Sequence, residues 1–262
     1  MNKDTLNQLL KDLHQNTLSI TKYCSENDLI TFISNCQKIL FPGYFENTKI
    51  SKKNTITKIE NIHSFLIKSI PIITTEKFIA KLIQIKQVLL SDIDAIFAGD
   101  PAAKNKDEII LSYPGFYAIL VYRIANYFHQ KKAPIVPRRL TEIAHQKTGI
   151  DIHPGATIDH SFCIDHGSGL VIGETAIIGH HVKLYQGVTL GAFSTKEKKE
   201  KKRHPTIKNF VTIYARSTIL GGETIIGENV VIGGNTWITK SIPRNTTIYV
   251  SQDALQRQKS HD

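Results

Sequence analysis

Residues 150–190 read IDIHPGATIDHSFCIDHGSGLVIGETAIIGHHVKLYQGVTL. Aliphatic residues recur in this stretch at Ile152, Ile158, Ile164, Ile172, Ile178, Leu184 and Leu190. The step is six residues except between Ile164 and Ile172, where it is eight. After a polar interruption the series resumes at Ile207, Ile213, Ile219, Ile226, Ile232 and Ile238, with one seven-residue step after Ile219. A small residue often follows four places later, as at Ala156, Ala176, Val182 and Val188. A period of six suits neither a 3.6-residue helix nor one long strand. It marks a parallel β-helix: each unit is a short strand plus a turn, three units close a triangular coil, and the aliphatic positions stack inside. The units present amount to about four to five coils.

Glycine marks where this grammar begins. Thirteen of the 16 glycines lie between Gly149 and Gly234, and only Gly43, Gly99 and Gly115 precede them. The earlier part has helical spacing instead. Leu6, Leu9, Leu10 and Leu13 fall on one helical face. Further helices are predicted over 28–40, 56–70, 78–97 (entered through Thr74-Thr75-Glu76) and 113–128. A polar linker is predicted over 46–55. Pro134 and Pro137 break the pattern before a short connector helix around 141–146. The predicted fold class is α+β. An α-helical domain spans 1–148, a β-helix spans 149–250 with an excursion loop at 192–205, and a short tail spans 251–262. A stack of coils has open ends that need caps, and the helical part can cover one.

The totals narrow the function. Hydrophobic residues make up 41% and charged residues 21%, as in an ordinary soluble domain. No apolar run approaches the roughly 18–20 residues of a membrane span, and the N-terminus lacks the apolar core of a signal peptide. Three cysteines without paired spacing argue against a disulfide framework and for the cytoplasm. The net charge of +10 is sharpest at 196–203, KEKKEKKR. That run reads as a solvated loop, with a secondary role near a phosphate-bearing ligand. No nucleic-acid motif accompanies it, so neither nucleic acid nor membrane is an expected partner.

Chemistry is expected where the repeat is interrupted. Asp165-His166-Gly167-Ser168-Gly169 occupies the eight-residue step. Asp151-Ile152-His153-Pro154 lies about one coil earlier, so that Asp151 and His166 share a face. Arg203-His204-Pro205 closes the excursion. A histidine supplies a base near neutrality. A carboxylate beside it holds the tautomer, and an arginine grips a substrate carboxylate through paired hydrogen bonds. This pattern points to a histidine-based acyltransferase and leaves the acceptor open.

From residue 100 to about 248 the chain resembles serine acetyltransferase. The resemblance rests on Asp100-Pro101-Ala102, Gly115-Phe116-Tyr117-Ala118, Tyr122-Arg123-Ile124-Ala125 and Asp151-Ile152-His153-Pro154. It continues through Asp165-His166-Gly167-Ser168-Gly169, Gly173-Glu174-Thr175, the run 186–191 (QGVTLG) and Arg203-His204-Pro205. It implies a left-handed coil and acetyl transfer from acetyl-CoA to L-serine, giving O-acetylserine for cysteine biosynthesis. His166 is then the base and Asp151 its orienting carboxylate. Asp100 and Asp165 take the serine ammonium, and Arg203 and His204 its carboxylate. A backbone N–H near Gly191 and Ala192 steadies the thioester oxygen. CoA lies in a groove between adjacent β-helices, against Gly191, Ala192, Ala215 and Gly234. No metal is required. The resemblance also implies a homotrimer with sites between subunits, or a dimer of trimers joined through the helical domains, and feedback inhibition by cysteine.

Three departures accompany the resemblance. Gly191-Ala192 stands where Gly-Gly is usual, and Tyr214-Ala215-Arg216 where Gly-Ala-Gly is common. The tail ends in Ser-His-Asp rather than the isoleucine that docks into the partner sulfhydrylase, which argues against that complex here. The rival readings are another acyl donor or acceptor (succinyl-CoA, homoserine), a carbonic anhydrase-like metal enzyme using His153, His166 and His204, and a non-catalytic scaffold. Cys163 is expected to point inward as core. Trp237 is expected to pack in a C-terminal coil. His160, His180 and His181 are expected on the surface.

Overall fold

The structure is a computed structural model and describes residues 3–14, 24–47, 50–193 and 202–250. Among the described residues seven helices come first: α1 (Lys3–His14), α2 (Glu26–Leu40), α3 (Lys52–Ser69), α4 (Thr75–Gly99), α5 (Lys106–Ser112), α6 (Pro114–Gln130) and α7 (Val136–Thr148). Four of their starts are set by side-chain caps, which satisfy backbone N–H groups that the first turn leaves unpaired. Ser25 and Asp28 bond each other's backbone at the start of α2. Ser51, Thr74 and Asn105 cap α3, α4 and α5. Apolar faces then converge on an aromatic cluster, with the Phe32 and Phe65 rings 4.2 Å apart and those of Phe78 and Phe128 5.1 Å apart.

Three boundaries differ from the sequence reading, each for a local reason. The Ser51 cap starts α3 within the stretch read as linker. The helix α5 was not anticipated; at seven residues it is too short to show a period, and its signal is Asn105 followed by Asp107 and Glu108 in the first turn. The proline pair read as a break in fact opens α7, because Pro137 lies in its first turn, where no N–H is needed. In α1, the Leu6 and Leu9 side chains are exposed.

Fourteen short strands follow among the described residues: β1 (Asp151–Ile152), β2 (Thr157–Ile158), β3 (Cys163–Ile164), β4 (Val171–Ile172), β5 (Ile177–Ile178), β6 (Lys183–Leu184) and β7 (Thr189–Gly191), then β8 (Thr206–Ile207), β9 (Thr212–Ile213), β10 (Thr218–Leu220), β11 (Ile225–Ile226), β12 (Val231–Ile232), β13 (Trp237–Ile238) and β14 (Thr247–Ile248). Every third strand pairs in parallel, making three faces: β1-β4-β7-β10-β13, β2-β5-β8-β11 and β3-β6-β9-β12-β14. The register sets each aliphatic residue beside its counterpart one coil on, such as Ile152 beside Ile172 and Ile164 beside Leu184. This column is buried from Ile152 to Ile238. The residue before each aliphatic one points outward. Trp237 holds such a position and is 71% exposed, so it does not pack inside the last coil.

Cys163 also points outward from its strand, yet it is buried. Helices α4 and α6 cover it, and glycine permits the approach. A Cβ on Gly115 would lie 2.6 Å from the Ile164 carbonyl oxygen, so only a residue without a side chain lets α6 sit this close. The helices then read the first coil through its backbone. Tyr122 Oη donates to the Ala156 carbonyl at 2.6 Å, and Asn126 donates to those of Pro154 and Ala156. Arg123 forms a buried bidentate pair with Asp92 at 2.6 and 2.8 Å and reaches the Ile158 and Asp159 carbonyls. Asp92 in turn accepts from Phe162 N–H at 2.9 Å. The helical part is thereby fixed to the strand that leads into Asp165 and His166.

Candidate active site

His166 lies at the corner between the third face and the first. At this corner and at the one between the second and third faces, the third residue after the inward aliphatic one adopts a left-handed backbone, as at Ser161, His181, Gly187, Arg216 and Asn235. The eight-residue step changes this. Three residues there have positive φ: His166 at 56°, Gly167 at 84° and Gly169 at 76°. A left-handed non-glycine residue outside the regular position costs about 1 kcal/mol. The result is a side chain 72% exposed on the corner.

Carboxylates surround it. Asp165 Oδ1 lies 3.8 Å from His166 Nε2. Asp100, at the C-terminal end of α4, has its carboxylate fixed by Ala102 N–H at 2.8 Å and by the Tyr113 hydroxyl at 2.7 Å. The Tyr113 bond holds Asp100 below the usual carboxylate range, and the same bond pushes the Tyr113 hydroxyl up to about 12. Lys183, from β6, bonds Asp165 Oδ2 at 3.0 Å and the Gly99 carbonyl. Counting along the repeat, Gln186, Ala215 and Gly234 stand like His166 second after their inward residues Leu184, Ile213 and Ile232. The backbone register stacks them in one column under Ser168: Gly187 N–H donates to the Ser168 carbonyl, Arg216 N–H to that of Gln186 and Asn235 N–H to that of Ala215. Gln186 Oε1 is buried without a partner among the described residues.

Arg203 and His204 lie at the next corner, between the first face and the second. Thr175 organises it: its hydroxyl accepts from Arg203 N–H at 2.8 Å and His204 N–H at 3.1 Å, and its own N–H donates to His204 Nδ1 at 3.1 Å. Glu174 pairs with the Arg203 guanidinium at 2.9 Å. The His204 ring fills the space over Gly173, where an added Cβ would come within 1.9 Å of it. Burial, then the nearby Arg203 charge, lowers His204 to about 4, so its ring is neutral at pH 7. Arg203 Nε is buried without a partner among the described residues. Gly191 ends β7 at this same corner, and Ala192 follows it.

The expected site residues therefore fall into two sets on one chain. Asp100, Asp165, His166, Ala215 and Gly234 belong to the first corner; Gly191, Ala192, Arg203 and His204 belong to the second. The breadth of the first face separates them. Asp151 points off that face, and its carboxylate meets Arg138 at 3.4 Å. Its expected bond to His166 is not among the contacts of the described residues, because the eight-residue step swings His166 onto the corner. Glu142, His145 and Asp151 have ligand atoms close enough for a metal ion, but Arg138 pairs with both Glu142 and Asp151. His153 shares the corner of His204, away from His166, so the three histidines of the metal-enzyme reading do not meet within a chain. His160, His180 and His181 pack their rings together beside Phe210 at another corner. The sequence reading missed Lys183 and Tyr113. The basic run 196–201 lies outside the described residues.

Comparison with known proteins identifies the family. No protein-family model matches the chain. It is 41% identical over 184 residues to a plasmid-borne serine acetyltransferase of Synechococcus elongatus, covering 68% of this chain and 57% of that protein. It is 46% identical over 123 residues to the serine acetyltransferase of Helicobacter pylori, covering 47% of this chain and 70% of that one. The chain spans little more than half the length of several curated relatives, such as 52% and 55% of enzymes from S. elongatus and Bacillus subtilis. Among solved structures, serine acetyltransferase 1 of Entamoeba histolytica, in complex with L-cysteine, superposes with a TM-score of 0.77 at 37% identity. That match covers 94% of this chain and 97% of the other. The Neisseria gonorrhoeae enzyme in complex with serine gives 0.64 at 25% identity, covering 94% and 89%. In fold, a helical region followed by a left-handed parallel β-helix, and in sequence, the chain belongs to the serine acetyltransferase family.

Proposed function

We propose that this chain transfers the acetyl group of acetyl-CoA to the hydroxyl of L-serine, with His166 as general base. The carrying observation is the exposed His166 imidazole, set at a left-handed turn beside Asp165 and Asp100, at a corner whose lower coils carry the small residues Ala215 and Gly234. The serine ammonium meets Asp165 and Asp100. His166 takes the hydroxyl proton as the oxygen attacks the thioester carbonyl. The tetrahedral intermediate then expels the CoA thiolate, which recovers that proton from the imidazolium. Asp165, 3.8 Å from the ring, stabilises the imidazolium. A backbone N–H near Gly191 and Ala192 donates to the oxyanion. The pantetheine arm runs along the small residues Ala215 and Gly234, with Gln186 Oε1 as an acceptor for its amides.

The two corners act together only when one copy presents His166 and its neighbour presents Arg203 and His204. This reading makes the active form a homotrimer, alone or paired through the helical parts, with sites between subunits. Neutral His204 donates one hydrogen bond to the serine carboxylate, and Arg203 supplies the charge. The free, buried Cys24, Cys36 and Cys163 accord with work in a reducing cytoplasm, and no described helix is long and apolar enough to cross a membrane. The test is thiol release from acetyl-CoA against serine, homoserine and sugars, repeated with succinyl-CoA. Release with serine and acetyl-CoA is expected; none with serine and either donor sinks the reading. Adding L-cysteine to the same assay tests inhibition.

A further inference from the structure

Lys183 stands inside the first corner as a cation that the proposed chemistry does not use. Its ammonium bonds Asp165 Oδ2 at 3.0 Å, donates to the Gly99 carbonyl beside Asp100, and lies 4.5 Å from the centre of the Tyr185 ring. The lysine and aspartate side chains are only 16% and 13% exposed. Burial works against the lysine charge, but the bonds to Tyr185 and Asp165 outweigh it, so its pKa lies above the ordinary lysine value and it is cationic at neutral pH. Its field also reaches Asp100. Two carboxylates and one ammonium leave this pocket a net charge of −1 before a ligand arrives.

We propose that Lys183 is a specificity-determining residue that sets how strictly the acceptor must carry an ammonium group. This rests on the reading that Asp100 and Asp165 receive the serine ammonium. Lys183 already holds one oxygen of Asp165, so an incoming ammonium shares that carboxylate rather than owning it. One acceptor ammonium then neutralises the pocket. Without Lys183 the pocket carries −2, binds ammonium more tightly and repels an acceptor that offers only a carboxylate. With Lys183, a hydroxy acid lacking the amine finds Asp165 already partnered.

The experiment compares wild type with Lys183→Met, Lys183→Gln and Lys183→Arg on L-serine and on 3-hydroxypropionate, which is serine without its amine. In Lys183→Met the KM for serine is expected to fall about fivefold while kcat stays within about threefold. Selectivity for serine over 3-hydroxypropionate, as a ratio of kcat/KM, is expected to rise about tenfold. Gln keeps hydrogen-bond donors but not the charge, so it should track Met; Arg should track wild type. An unchanged or higher KM for serine in the Met and Gln variants overturns the proposal. So does a Gln variant with wild-type values, since Lys183 would then be only a tether. A thermal melt of each variant reports folding, and Gln carries the test if Met fails to fold. Wild type that does not acetylate serine at all sinks the underlying function; wild type that does, with variants that leave selectivity unmoved, sinks only the role of Lys183.

Discussion

The corner of His166 and the corner of His204 are made by the same repeat and broken in opposite ways. At the first, two extra residues enter the turn itself. The backbone is forced left-handed, and the imidazole ends 72% exposed among charged groups. At the second, the turn Gly173-Glu174-Thr175 keeps its regular length, and the change is a long excursion that returns over it. There the imidazole is 8% exposed, bonded through Nδ1 and neutral. The first ring stands open beside carboxylates; the second, held through Nδ1 by Thr175 and neutral at pH 7, offers Nε2–H as a hydrogen-bond donor. In the proposed reaction this difference separates proton transfer from substrate binding and puts the two on different copies.

The strongest way to break that division is to inactivate each corner separately and then mix the proteins. His166→Ala should lose activity by about 10²–10⁴-fold while keeping its fold and assembly. Arg203→Ala should act mainly on serine binding, because the lost guanidinium leaves Glu174 and the substrate carboxylate unpartnered. When the two inactive variants are denatured and refolded together, random association joins an intact first corner to an intact second corner in about a quarter of the sites. Recovered activity near that fraction supports sites between copies. No recovery, with mixed oligomers demonstrated by mass spectrometry, means each chain carries a whole site.

Next in size is the link between the helices and the first corner. Arg123→Met leaves Asp92 buried without its charge partner, at a cost of about 3–5 kcal/mol, which lowers the melting temperature by on the order of 10 °C. Asp92 and Arg123 bond Phe162 N–H and the Ile158 and Asp159 carbonyls. Hydrogen exchange should therefore quicken around residues 158–166 more than around Thr175 and His204. Equal loosening at both corners would show that the pair stabilises the coil as a whole.

These residues also mark how far the sequence could be read. The β-helix was legible because burial inside a coil demands an aliphatic residue at a fixed interval, and the interruptions at His166 and Arg203 stood out against that interval. Helix starts were less legible, since Ser51, Asn105 and Pro137 act through local caps and not through a period. Lys183 stayed hidden because it holds an ordinary outward position of a regular unit; only its distance to Asp165 and Gly99 reveals it. Tyr113 was read as the first residue of a helix, and its bond to Asp100 depends on how α4 and α6 meet. The split of the site between corners was likewise invisible to spacing, which counts residues along the chain but not faces around the prism.

A smaller effect tests the second corner alone. Gly173→Ala would set a methyl group into the His204 ring. Such overpacking costs about 1–3 kcal/mol, and the ring must leave its place on Thr175. The KM for serine should rise, while kcat, which the proposed reaction assigns to His166 at the other corner, should change little. A fall in kcat with KM unmoved would mean that His204 takes part in the chemical step.

The smallest effect is a slope with pH, and it follows from the neutral state of His204. Its pKa falls from 6.5 to about 4 because burial, then Arg203, disfavours the charged ring. The unfolded chain binds a proton there below pH 6.5; the folded chain does not until about pH 4. Stability from the neutral ring is thus fully present above pH 6.5 and lost as the pH falls towards 4. Thermal melts between about pH 6.5 and 5, above the range where most carboxylates titrate, should show the melting temperature falling less steeply in His204→Gln than in wild type. His153, at the same corner, is also lowered, first by burial, so adding His153→Gln should flatten the curve further. An unchanged slope in the double variant would mean that this corner opens to water, and the contrast with His166 would rest on geometry alone.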